Sequence, residues 1–136
     1  MTESILFELT YSYTKYSGEK KIIRSSFFLG VFSSVEKIEK AIHYYSSVPG
    51  FSKDKNRFFI RPVYIRKAAE LFQAGIAYIA DKAQDDVDEI IGYYDTEETA
   101  KNEIVKSCLY ENFKDHIVIE RITVDKMEWT EGFVEL

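Results

Sequence analysis

Gly30-Val31-Phe32-Ser33-Ser34-Val35-Glu36 returns 62 positions later as Gly92-Tyr93-Tyr94-Asp95-Thr96-Glu97-Glu98. Each stretch passes from an aromatic-rich, β-branched run through a glycine into a helix start. The paired reading makes the chain two copies of one small unit. Ser33 and Glu36 have the spacing of a capping box, in which a hydroxyl takes the N3 amide and a carboxylate reaches back to the cap. Asp95 and Glu98 have the same spacing. A helix is therefore expected after each glycine.

Upstream, Ile5, Phe7, Leu9, Tyr11 and Tyr13 alternate with polar residues at the period of a half-buried strand. Tyr16 to Lys20 reads as a turn, and Ile22 to Phe32 as the returning strand, with Gly30 a candidate bulge. Downstream, Val35, Ile38, Ile42 and Tyr45 form one apolar stripe, with Ile42 at its centre, and Val48-Pro49-Gly50 stops the helix. Phe58 to Ile65 reads as a third strand, in which Pro62 hints at an edge.

The second copy reads as a strand at Ile76 to Ala80, an acidic turn through Asp88, a returning strand from Glu89 to Tyr94, a helix with Ala100, Ile104 and Cys108 buried, and a strand at Ile117 to Val124. Phe113 stands 62 after Phe51. Arg66 to Gln73, rich in helix formers, reads as a short helical connection. The expected fold is α+β: a single domain over 1–136, with β-β-α-β repeats at about 5–65 and 76–124 and an aromatic tail at 125–136. Right-handed crossovers place the helices on one face of antiparallel sheets. Two such open-faced units would join in pseudo-twofold fashion.

Composition bounds the function classes. At 136 residues, 46% hydrophobic and 30% charged, the chain has the makings of a folded core and little room for a linker. One cysteine and no secretory pattern point to the cytoplasm, and no apolar run reaches the ~20 residues of a membrane helix. The net charge of −5 argues against nucleic acid. That charge is unevenly spread: residues 1–66 carry 11 Lys and Arg against 6 Asp and Glu, whereas residues 67–136 carry 7 against 17.

His43, His116 and Cys108 stand on different elements and do not have the spacing of zinc ligands. The acidic run Asp81, Asp85, Asp86, Asp88 and Glu89 lacks the alternation and central glycine of a calcium loop. No phosphate-cradling glycine loop or nucleophile elbow occurs. The expectation is a protein with no cofactor, no metal and no catalytic residues. Its candidate binding residues are that acidic run, which would meet a basic protein partner, together with Tyr44, Tyr45, Trp129 and Glu131. Trp129 and Phe133 also read as a clasp over an open end of the core, with Gly132 permitting the bend between them. An unpaired strand edge invites pairing with a second copy.

Three motifs stand together: Gly30 to Lys37, Pro49-Gly50-Phe51, and Asp125 to Phe133 with its Asp-x-x-x-Trp-Thr-Glu-Gly-Phe pattern. In this they resemble a family of small uncharacterised bacterial domains, usually of one unit. Neither half of the sequence holds all three, because the first lacks the tail and the second has Glu111-Asn112-Phe113 in place of Pro-Gly-Phe. The resemblance implies a duplicated, diverged relative. Small acidic proteins of this kind look similar to immunity proteins encoded beside bacterial toxins, and a non-catalytic protein of that type is the leading expectation. The alternative is a small-ligand or regulatory module with its pocket between the repeats.

Overall fold

The first strand, β1, runs over Ser4–Tyr16 because its alternating apolar residues need a sheet on which to bury one face. It pairs antiparallel with β2, Ile22–Phe32. The computed structural model describes residues 4–16, 22–65, 70–76, 89–106, 114–129 and 131–133. Helix α1 spans Val35–Tyr45 and strand β3 spans Phe58–Ile65, with short 3-10 turns at Phe51–Lys53 and Lys55–Arg57 between them. The later elements are β4 (Glu70–Ile76), β5 (Glu89–Tyr94), α2 (Glu97–Lys106), a 3-10 turn at Lys114–His116, and β6 (Ile117–Thr123). The class is α+β, with two three-stranded antiparallel sheets ordered β2-β1-β3 and β5-β4-β6.

Both hairpins carry the same irregularity. Leu9 faces Gly30 and Thr10 faces Phe28, leaving Leu29 as an extra residue. Ala74 faces Gly92 and Gly75 faces Ile90, leaving Ile91 extra. Leu29 and Ile91 are 62 apart, and each bulge adjoins one of the repeated glycines.

Helix caps follow the sequence with a shift of one residue. Ser34, not Ser33, is the N-cap of α1, and its hydroxyl accepts from the Lys37 amide at 3.2 Å. Thr96, not Asp95, does this for α2, accepting from the Thr99 amide at 3.0 Å. In each case Ser33 or Asp95 stays outside the helix with its side chain available for other work.

Three further expectations are corrected. Glu70 to Gln73 is strand rather than connecting helix, because Leu71, Gln73, Ala74 and Ile76 find burial in the sheet and tertiary packing outweighs helix propensity. The first strand of the second sheet is therefore 70–76, ahead of the expected 76–80, of which 77–80 lie outside the described residues. On α1 the buried face is Ile38, Ala41 and Tyr45, while Val35 is 48% exposed and Ile42 only half-buried. Ala100 and Ile104 are the buried face of α2; Cys108 and Phe113 lie outside the described residues, as does the turn at 17–20.

The chain divides into two compact units. One comprises residues 5–64 and 125–136; the other comprises 1–4 and 65–124. The tail thus returns to the first unit after the chain has completed the second. In the first unit Leu9, Tyr11, Leu29, Phe32, Ile38, Ala41, Tyr45, Val48 and Phe51 form the core, against which Met127, Trp129 and Phe133 pack.

Candidate functional site

The tail docks along β2, the edge strand of the first sheet. The Asp125 amide donates to the Val31 carbonyl at 2.8 Å and the Glu128 amide to the Leu29 carbonyl at 2.9 Å. Between these bonds the Lys126 carbonyl lies over Gly30, whose φ is +142°, and a Cβ at that position would stand 2.6 Å from it. Only glycine meets both demands, a positive φ and a backbone at contact distance. Farther along, the Phe133 amide donates to the Pro49 carbonyl at 3.0 Å.

Side chains complete the attachment. The Asp125 carboxylate accepts from the Ser33 amide and hydroxyl, each at 2.8 Å, and meets the Lys37 ammonium at 2.9 Å. Burial alone would raise this carboxyl, but the Ser33 and Lys37 donors outweigh it and hold the group below the ordinary aspartate range. Asp125 itself has φ +70°, a conformation that Asp tolerates better than most residues. Phe133 stacks on Phe27 at 4.3 Å and meets Phe51 edge-on at 4.8 Å, while Trp129 meets Phe27 edge-on at 5.2 Å. Gly132 matters through close approach rather than through the expected bend: a Cβ there would lie 2.5 Å from the Pro49 carbonyl.

Residues of all three motifs therefore meet in one unit. The clasp role of Trp129 and Phe133 follows from this geometry.

The sequence-derived binding residues separate into three groups. Asp81, Asp85, Asp86 and Asp88 lie outside the described residues, and Glu89 begins β5 opposite Ile76. Tyr45 is wholly buried and offers no surface; its hydroxyl donates to the Trp129 carbonyl at 2.6 Å, and burial pushes its pKa up to about 12. Tyr44, 40% exposed with its ring 5.3 Å from that of Tyr45, and exposed Glu131 remain at the surface at the C-terminal end of α1 and in the tail. Burial raises the half-buried Glu128 carboxyl, against the pull of Lys126. Tyrosine and tryptophan with carboxylates at their rim are a composition suited to a protein interface. Among the described residues no group of three or more His, Cys, Asp and Glu side chains is placed to hold a metal, and no helix is long and apolar enough to cross a membrane.

Two residues not anticipated from the sequence are Glu8, 4% exposed, and Gln73, 1% exposed. The Glu8 carboxylate accepts from Arg61 of β3 at 2.9 Å, and the Gln73 amide donates to the Tyr93 hydroxyl at 3.2 Å. They occupy corresponding places on the central strands β1 and β4, one residue before the partner of the repeated glycine. Alternation reads Glu8 as solvated, and helix propensity puts Gln73 in a connection rather than a strand. Their correspondence lies in the strand register, since Glu8 stands 22 residues before Gly30 and Gln73 only 19 before Gly92.

No family model, curated protein or solved structure matches this chain. The resemblance stated above rests on its motifs.

Proposed function

We propose that this chain is a non-catalytic protein-protein interaction protein, an immunity protein whose acidic unit engages a basic toxin domain, built from two diverged copies of one β-β-α-β unit. The observation that carries the functional reading is the charge of the two units. The unit formed by 5–64 and 125–136 holds 11 Lys and Arg against 9 Asp and Glu, a net of +2. The unit formed by 1–4 and 65–124 holds 7 against 14, a net of −7. The return of the tail moves carboxylates onto the first unit, yet the second still carries an excess larger than that of the whole chain. A concentrated single-sign surface accelerates encounter with an oppositely charged partner and rejects others.

The duplication is supported by corresponding bulges at Leu29 and Ile91, caps at Ser34 and Thr96, and 3-10 turns at Lys55–Arg57 and Lys114–His116. Buried polar residues at Glu8 and Gln73 add to it. Under this reading one copy kept the tail and the other diverged toward acidity.

The test is co-expression with the product of the adjoining reading frame. A stable complex that abolishes that product's toxicity is expected. A toxin-like neighbour that neither binds nor is restrained would sink the reading.

A further inference from the structure

The tail shows how the first unit accepts an extended segment. On the first unit the segment lies along the edge strand β2, passes its Lys126 carbonyl over the Gly30 notch, and places Asp125 between the Ser33 donors and Lys37. Sixty-two residues later stand Gly92 on β5, an edge strand among the described residues, with Asp95 for Ser33 and Thr99 for Lys37. The notch recurs. At Gly30 the ring of Phe32 lies 3.1 Å from a built Cβ, and at Gly92 the hydroxyl of the corresponding Tyr94 lies at 3.0 Å. A phenol hydroxyl can donate to a passing carbonyl, which a phenylalanine cannot.

The charge where the strand passes into the helix is inverted. Where Lys37 draws in a carboxylate, Thr99 has no charge, and where Ser33 donates, Asp95 brings an exposed carboxylate. Glu97, engaged by Lys101 at 2.9 Å, and Glu98 add acidity in the first turn of α2. An aspartate like Asp125 would be repelled here, and a cation would be held. We propose that the second unit has a seat along β5 and the start of α2 for an extended segment of the basic partner, one that carries Lys or Arg where the tail carries Asp125. The seat rests on the reading of the two units as copies and supplies a binding mode for the acidic unit, in which main chain gives affinity and a single charge gives selection.

Two synthetic peptides test this against the full-length chain, whose own tail already fills the first seat. One has the sequence of residues 125–136, and the other carries Asp125→Lys within it. Fluorescence anisotropy should show the lysine peptide binding about tenfold more tightly, as expected of one charge pair at an interface. In the variant Asp95→Ser with Thr99→Lys, which recreates the first seat on exposed positions, the preference should reverse; circular dichroism would verify that the fold is kept. Binding of neither peptide to the native chain overturns the proposal, as does a preference that the double substitution leaves unchanged. The assay contains no toxin. A chain that selects the lysine peptide but forms no complex with its neighbour's product would keep the seat and lose the immunity reading.

Discussion

Asp125 concentrates in one carboxylate what holds the tail's entry to the first unit. Its folded pKa lies below the ordinary aspartate value of 3.8, so the folded state binds this proton less tightly than the unfolded chain does. The stabilisation is therefore fully present above that value and is lost as pH falls through the lowered folded pKa. Because its side chain is 29% exposed and Lys37 is 53% exposed, the contribution is modest, about 1 kcal/mol. Asp125→Asn should lower the melting temperature by a few degrees at pH 7. The gap from the native chain should narrow as the pH falls below 3.8, and melts at pH 7 and along an acid series check both statements. A gap that persisted in acid would mean that shape, not charge, holds the residue. The sequence placed Asp125 at the head of the tail motif but named no partner for it. That partnership needed Ser33 to stay outside the helix, a one-residue shift in capping that spacing alone does not settle because Ser33 and Ser34 are both competent caps.

Among elements, α1 and the tail divide the stability of the first unit. Ile38 is fully buried whereas Ile42 is only half-buried, so Ile38→Ala should cost about 2–5 kcal/mol and Ile42→Ala clearly less. Urea denaturation of the two variants decides the order. The apolar stripe was legible in the sequence, but its centre was misplaced: Ile38, Ala41 and Tyr45 make the buried face, and the small Ala41 takes the inward place expected of Ile42. Phe133 is a second anchor, packed among Phe27, Phe51 and Tyr11. Phe133→Ala should destabilise by about 2–4 kcal/mol and loosen the amides of β1 and β2 in hydrogen exchange. Unchanged protection in those strands would show that the tail covers the core without supporting it.

For the molecule as a whole the decisive property is charge. Replacing Asp81, Asp85, Asp86 and Asp88 by Asn removes four of the 14 acidic residues in the acidic unit. We propose, from the sequence reading of this run as a solvated turn, that the melting temperature stays within about 3 °C, since surface substitutions are commonly within ±0.5 kcal/mol. Association with the basic partner should slow by about an order of magnitude and become less sensitive to salt, because exposed charges steer encounter more than they hold a complex. Stopped-flow rates at two ionic strengths measure this. An unchanged rate would move the interface to Tyr44 and the exposed residues of the tail.

Local chemistry was enough to place β1, β2, β3 and both helices, because alternation, a helical stripe and a capping hydroxyl act over a few residues and leave their period in the chain. It was enough, too, to mark Gly30 as a bulge site and Trp129 and Phe133 as a clasp. It failed for Glu70 to Ile76, where intrinsic helix preference and sheet burial disagree and burial prevails. It was also silent on which core the clasp closes. Asp125 follows the second unit in sequence but bonds to Val31, Ser33 and Lys37 of the first, some 90 residues away. Such a partnership carries no periodicity and no fixed spacing. It is decided in three dimensions, where the edge of β2, a glycine notch and an aromatic core together offer the tail more than any neighbouring residue in the chain can.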